Sequence, residues 1–144
     1  MSVGATPEGS QAGRAGGMPL VLTGDTFWET VRGNEIVLVD FWADWCGPCK
    51  RFAPVFERSA ASHSDIVFGK VDTDAEQALS AAAQIRSIPT LFIFRDGILL
   101  YSQAGALPEQ ALEELIRRVR ALDMDDIRRQ IAARAGGGGG PAPA

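Results

Sequence analysis

Along the chain, short apolar runs alternate with stretches in which apolar residues return every three or four positions. Residues 20–22 form a short apolar run that predicts a strand, and Thr23, Asp25 or Thr26 can cap a helix carrying Phe27, Trp28 and Val31 to about Arg32. Ile36–Trp42 is almost continuously apolar, the pattern of a strand covered on both faces. A helix over 47–63 follows, with Pro54 expected to kink it because proline lacks an amide donor and crowds the preceding turn. A strand over 66–71 and an alanine-rich helix over 75–83 come next. Two strands, 90–95 and 98–103, flank Asp96-Gly97, a dipeptide suited to a tight hairpin. Pro108 starts a helix whose stripe is Leu112, Leu115, Ile116, Val119 and Leu122. Asp123 then caps a charged helix over 124–135 with only Ile127 and Ile131 as its apolar stripe. This order predicts an α/β fold: a central mixed five-stranded sheet with helices on both faces and an extra C-terminal helix.

Composition adds boundaries to that picture. Residues 1–18 and 136–144 are rich in Gly, Ala, Ser and Pro and are expected to be disordered tails, leaving a domain over 19–122 and the extra helix over 123–135. No run approaches the roughly 18 apolar residues of a membrane-spanning helix. The net charge of −4 argues against a dedicated nucleic-acid binder, which carries a clustered basic face. The first eight residues lack a basic head and an apolar stretch, so the expected location is the cytoplasm. In that reducing compartment a cysteine pair more often binds metal or does redox work than staples a fold.

The chain has two cysteines, in Trp45-Cys46-Gly47-Pro48-Cys49-Lys50, at the junction of a buried strand and a helix. Residues three apart on a helix share a face, so the sulfurs can bond with little movement. Cys46 stands at the helix N-terminus, where free amides and the positive dipole end favour a thiolate. Cys49, one turn in, is expected to be more buried and less ionised. That asymmetry suits a dithiol that attacks with one sulfur and resolves with the other. Two bland readings stand beside it: half of a zinc site, which would need four ligands where only His63 remains, and an inert buried pair, which the exposed Gly47-Pro48 turn disfavours.

Further segments extend the pattern: Val39-Asp40-Phe41-Trp42-Ala43-Asp44 before the pair, then Ala53-Pro54, Lys70-Val71-Asp72, Ile88-Pro89-Thr90, Asp96-Gly97 and Gly105-Ala106-Leu107. In that order and spacing the chain is similar to the thioredoxin family over about residues 19–122. Ser87 departs from it, standing where a glycine is expected before Ile88-Pro89, and the tails and the 124–135 helix lie outside it. The resemblance implies a protein dithiol-disulfide oxidoreductase in which Cys46 attacks and Cys49 resolves. An oxidase or isomerase of the same fold, or a binding module with an incidental dithiol, are the alternatives.

Asp40 interrupts an apolar strand, and burial of a carboxylate predicts a raised pKa or a hydrogen-bonded structural role. The resemblance makes it the proton acceptor for Cys49, through water, with Lys70 as its partner; the plain alternative for Lys70 is an edge lysine reaching to solvent. It also implies a cis Ile88-Pro89 bond facing the disulfide, with the Ile88 backbone free to pair with an extended substrate. Trp45, Gly47, Pro48, Ile88, Gly105 and Ala106 would form a shallow rim beside Pro89. His63 is expected to be a surface residue without partners. The chain binds no cofactor on this reading and acts as a monomer. With no third cysteine and no dinucleotide fingerprint, its electrons must come from a partner, by resemblance a flavin- and NADPH-dependent thioredoxin reductase. Lys50 and Arg51 beside the pair would steer partners electrostatically.

Overall fold

The computed structural model describes residues 13–138. Its elements are β1 (Leu20–Val21), α1 (Phe27–Gly33), β2 (Ile36–Trp42), α2 (Gly47–Ser62), β3 (Val67–Asp72), α3 (Gln77–Ala82), β4 (Thr90–Arg95), β5 (Ile98–Ala104), α4 (Glu109–Ala121) and α5 (Met124–Gly138). The strands form one sheet in the order β1-β3-β2-β4-β5, with β1, β3 and β2 parallel and β4 and β5 antiparallel. β2 lies in the middle because it is the strand that can be covered on both faces.

Alternation along β2 sends Ile36 and Leu38 to one face, against Phe52 and Phe56 of α2 and Leu112 and Ile116 of α4. Val37, Val39 and Phe41 go to the other face, against Phe27 and Val31 of α1 and Leu79 of α3. Asp40 therefore shares the α2/α4 face with Leu38. In register across the sheet it stands between Lys70 on β3 and Leu91 on β4.

The differences from the expected elements are local. α3 begins at Gln77, not 75, because the Asp72 carboxylate accepts the amides of Asp74 and Ala75 and holds that segment as a turn. α2 ends one residue short of the expected 63 and contains Pro54, as expected. Pro108 is the cap before α4, one position ahead of the helix. The hairpin forms at Asp96-Gly97 with φ of 54° and 78°, the left-handed pair that a two-residue turn requires.

At the amino end the chain is in place from Gly13, whose amide donates to Thr30 Oγ1 (2.7 Å) and whose carbonyl accepts from Asn34 Nδ2 (2.8 Å). Helix α5 runs on into the glycine stretch, to Gly138. Residues 1–12 and 139–144, the remainder of the expected tails, lie outside the described residues.

Helix α5 is anchored at its start. Asp123 Oδ1 accepts the Asp126 amide, Met124 is buried, and Arg128 pairs with Asp96 at 3.1 Å. Beside it, the Arg95 side chain leaves the end of β4 to donate to the carbonyls of Val119 (2.8 Å) and Leu122 (3.1 Å), tying down the last turn of α4.

Candidate active site

β2 ends at Trp42 and α2 begins at Gly47, so the four residues between them turn the chain back over the sheet. Cys46 is the N-cap of α2, with extended backbone, and its Sγ accepts the Cys49 amide at 3.2 Å. The two sulfurs are joined in a disulfide with their Cα atoms 5.2 Å apart. Pro48 occupies the first turn, where its missing donor costs nothing.

Both cysteines are buried, Cys46 with 4% and Cys49 with 3% of its surface exposed. This corrects the expectation that the turn leaves the pair exposed with Cys49 distinctly deeper. Trp42, Ala43 and Ile88 pack around the two sulfurs, and the Ile88 carbonyl oxygen lies 3.7 Å from Cys46 Sγ. The asymmetry of the pair lies in hydrogen bonding: Cys46 takes the amide at the helix start, so negative charge on its sulfur is favoured there.

Asp40 is fully buried, and neither carboxylate oxygen has a hydrogen-bond partner among the described residues. Burial pushes its pKa up to about 7, against an opposing pull from Lys70. α2 runs back antiparallel to β2, which lays its first turns over the end of the strand where Asp40 stands. Lys70 is half-buried on an interior strand, not an edge one, and its Nζ lies 4.7 Å from the centroid of the Trp42 ring.

The Ile88-Pro89 bond is cis, Pro89 is buried and Ile88 is half-buried. Gly105, at φ 114°, donates its amide to the Pro89 carbonyl at 2.8 Å, which brings Gly105 and Ala106 beside this loop. Trp45 is 70% exposed, and Gly47, Pro48, Gly105 and Ala106 are exposed with it. Trp45, Ile88 and Cys46 thus meet at one end of the sheet, while Gly105 is linked to the same loop through Pro89.

Sequence reasoning missed two neighbours. Trp45 Nε1 donates to Asp74 Oδ2 at 2.9 Å, and Trp42 packs on the disulfide instead of serving only the core. Asp74 lies 29 positions from Trp45, and nothing local marks the contact. His63 is also corrected. It is half-buried at the far end of α2, with Nε2 2.6 Å from Glu113 Oε1 and Nδ1 3.0 Å from Arg120 Nη2, and its ring stacks on Phe68.

Among the described residues no group of three or more His, Cys, Asp or Glu side chains could hold a metal ion, and no helix is long and apolar enough to cross a membrane.

Comparison with known proteins places this arrangement. The family model for thioredoxin matches residues 18–118. A Streptomyces coelicolor protein named "Putative thioredoxin 2" is 53% identical over 111 residues, covering 77% of this chain and 83% of that one. The thioredoxin of Bacillus subtilis is 36% identical over 102 residues, covering 70% of this chain and 98% of its own. Among solved structures, a single-residue mutant of a thioredoxin from Halobacterium salinarum superposes with a TM-score of 0.70 at 38% identity, over 77% of this chain and 99% of that one. With its CxxC pair at disulfide distance at the start of α2, the chain belongs to the thioredoxin family of protein dithiol-disulfide oxidoreductases.

Proposed function

We propose that this oxidoreductase works as a reductant of protein disulfides, with Cys46 as the attacking sulfur. The Cys46 thiolate attacks one sulfur of a substrate disulfide, forming a mixed disulfide and releasing the other sulfur as a thiolate. Cys49 then loses its proton and attacks Cys46 Sγ, closing the Cys46–Cys49 bond and releasing the second substrate thiol. The observation that carries this reading is the Cys49 amide directed at Cys46 Sγ at 3.2 Å, which singles out one sulfur of the two as the better anion.

Asp40 is the acceptor for the Cys49 proton, through water, and a carboxyl with a pKa of about 7 is half-ionised where it is needed. Lys70 tempers that pKa from the neighbouring strand. The backbone of Ile88 beside cis-Pro89 receives the extended substrate, and Trp45, Gly47, Pro48, Gly105 and Ala106 form the surface on which it rests.

The disulfide left by each turnover needs an external donor. A flavin-dependent reductase drawing on NADPH fills that role, the chain itself binding no cofactor and working as a cytoplasmic monomer. Lys50 and Arg51, both exposed, steer such partners.

Three experiments test the reading. Sub-stoichiometric iodoacetamide on the reduced protein is expected to label Cys46, and Cys49→Ser is expected to hold substrates as mixed disulfides through Cys46. Preferential labelling of Cys49 would reverse the roles. Oxidised protein with thioredoxin reductase is expected to consume NADPH; electrons accepted from glutathione alone would replace the reductase partner by a glutaredoxin-like one.

A further inference from the structure

The two edges of the sheet differ. β1 is two residues long, whereas β5 runs for seven, Ile98–Ala104, with no strand on its outer side. Natural edge strands are guarded by charged side chains, prolines or bulges, because an open row of N–H and C=O groups invites pairing. β5 holds no charged residue and no proline. Its one bulge is at Leu100, where Ile93 opposes Tyr101 but Phe94 opposes Leu99. Ser102, Gln103 and Ala104 are exposed, and apart from β4 no described segment bonds its main chain to β5.

The bulge also decides where Leu99 goes. It lets Leu100 and Tyr101 both pack on the α2/α4 face and puts Leu99 beside Phe94 on the α1/α3 face. There a groove of about 330 Å³ lies between α1, α3 and β5, with Phe27, Phe92 and Phe94 as its floor and Trp28, Leu79 and Leu99 around it. Trp28 is 49% and Leu99 45% exposed, so two large apolar side chains meet water at a hollow whose described lining holds no charged residue. The Trp28 indole is set edge-on to Phe27 and Phe94, with ring centroids at 4.9 and 6.1 Å, which fixes that wall before anything binds. The charged residues of the surrounding segments, Asp25, Glu29, Arg32, Glu76, Arg86 and Asp96, are of both signs, so apolar contact selects what enters.

The open edge leads from the exchange site to this groove. Gly105 and Ala106, which follow β5 directly, are part of the proposed substrate surface, and Gly105 is bonded to Pro89 at 2.8 Å. From Ala104 to Leu99 is about 17 Å of strand. We infer that the β5 edge is a second docking site for the protein being reduced. An extended segment of the substrate pairs with Tyr101–Ala104, short of the bulge, and places an apolar side chain such as Leu, Ile or Phe in the groove beside Leu99 and Trp28. Main-chain pairing supplies affinity whatever the sequence, and the groove supplies the preference. With about 10 Å to cross from Cys46 to the edge, the apolar residue lies roughly 7–10 positions from the attacked cysteine. Continuity of the edge with the exchange surface assigns it to the substrate and not to a second copy of the chain. The inference rests on the reading of Cys46 given above and adds a substrate class to it: proteins whose cysteine lies in an extended, unpaired segment with an apolar residue at that spacing.

The test is a set of peptides, each with one cysteine held as a disulfide to a small thiol and one Leu about 5–12 positions from it on either side, beside counterparts with Ser for Leu. Reduction is followed as kcat/KM with the whole protein. At one or two positions, on one side of the cysteine, the Leu peptide is expected to react about 5- to 10-fold faster than its Ser counterpart, part of the burial gain being lost in ordering the segment. Methylating alternate backbone nitrogens of the segment should remove the gain in one register and spare it in the other, as strand pairing requires. Leu99→Lys, which guards the edge with a charge, should bring the Leu-to-Ser ratio close to one and leave the rate of the Ser peptide unchanged. Trp28→Ala should lower the ratio about two- to threefold. Salt at about 0.5 M should leave the ratio in place. Equal rates for Leu and Ser at every position would overturn the docking site and leave the exchange reading standing, as would a Leu gain that survives in Leu99→Lys. A dimer in sedimentation that Leu99→Lys abolishes would give the edge to a second copy, and a Leu gain seen only after removal of residues 1–12 would give it to the chain's own segment; either overturns the assignment to substrate. Failure to reduce any peptide, with Leu or with Ser, would overturn the exchange reading and this inference with it.

Discussion

Each end of helix α2 stands against a carboxyl group, and the two are treated in opposite ways. Under the first turns, Asp40 is fully buried with both oxygens unpartnered, and burial lifts its pKa to about 7. At the last turn, burial also pushes Glu113 upward, but hydrogen bonds from His63 at 2.6 Å and Ser59 at 2.8 Å outweigh it, and the net effect holds the carboxyl below its usual range. Close by, Arg120 makes a two-pronged contact with Asp65, at 2.8 and 3.0 Å, which lowers the Asp65 pKa to about 2. The far end is a pole where polar groups satisfy one another and hold the fold. The disulfide end keeps a carboxyl free to change its protonation, and that freedom costs stability.

The largest effect expected from breaking this contrast comes from Asp40→Asn. A carboxyl raised from 3.8 to about 7 is protonated in the folded protein where the unfolded chain has already ionised it, so stability falls as pH rises from about 4 to about 7. The full interval corresponds to about 4 kcal/mol. The Asn amide would itself lie buried without partners, returning about 1–3 kcal/mol of that. The variant is therefore expected to be more stable by about 1–3 kcal/mol at pH 8 and, with the pH-dependent part gone, less stable by about 1–3 kcal/mol near pH 4, in urea titrations at both pH values. Its thiol exchange should slow at least about 10-fold at neutral pH if Asp40 takes the Cys49 proton. A stability difference independent of pH would show that Asp40 has no raised pKa, and an unchanged rate from about pH 6 to 8 would leave it a structural residue.

What could be read from the sequence divides along the same line. The strand that carries Asp40, the cysteines at the start of a helix and the Asp96-Gly97 turn are local patterns, because each depends on residues within a few positions of one another. The far pole was not legible: His63 meets Glu113 and Arg120 across 50 and 57 positions, so its side chain appeared partnerless in a linear reading. The burial of Cys46 was missed for the same reason, since Ile88, which covers it, is 42 positions away. The turn chemistry of Cys46-Gly47-Pro48 predicts where the helix starts, but not what the rest of the chain lays on top of it.

Removal of α5 probes the far pole with a smaller expected effect. A stripe of only Ile127 and Ile131 would make this helix dispensable, and Ile131 is indeed exposed, but Met124 is buried and Arg128 reaches Asp96 on the β4–β5 turn. Burial of a methionine is worth about 1.5–3 kcal/mol, and an exposed ion pair adds less than about 1. A chain ending at Leu122 should lose about 2 kcal/mol and melt roughly 5–10 °C lower. Its disulfide exchange should be unchanged, because the helix sits at the opposite pole from the cysteines. A drop beyond about 15 °C would make α5 an integral part of the core, whereas no drop would mean that Met124 contributes nothing.

The smallest effect is expected from Glu113→Gln. Arg120 can only donate to His63 Nδ1, so the ring proton sits on Nε2 and is directed at Glu113. A glutamine at this position can accept that N–H with its carbonyl oxygen and donate its amide to Ser59, whose hydroxyl turns to accept. Every group keeps a partner and only the charge is lost, so the cost at pH 7 should stay below about 1 kcal/mol at this partly exposed site. Because the folded pKa of Glu113 lies below its ordinary value of 4.5, the contribution is present above that value and disappears as pH falls through the folded one. Thermal melts should therefore show a small deficit at pH 7 that shrinks as the pH is lowered below 4.5. Glu113→Leu, which strands both the His63 N–H and the Ser59 O–H, should cost about 2 kcal/mol or more at pH 7. A Gln variant as damaged as the Leu variant would mean that the charge, not the hydrogen bonding, holds this pole together, and a change in exchange rate with either would mean that the two ends of α2 are coupled.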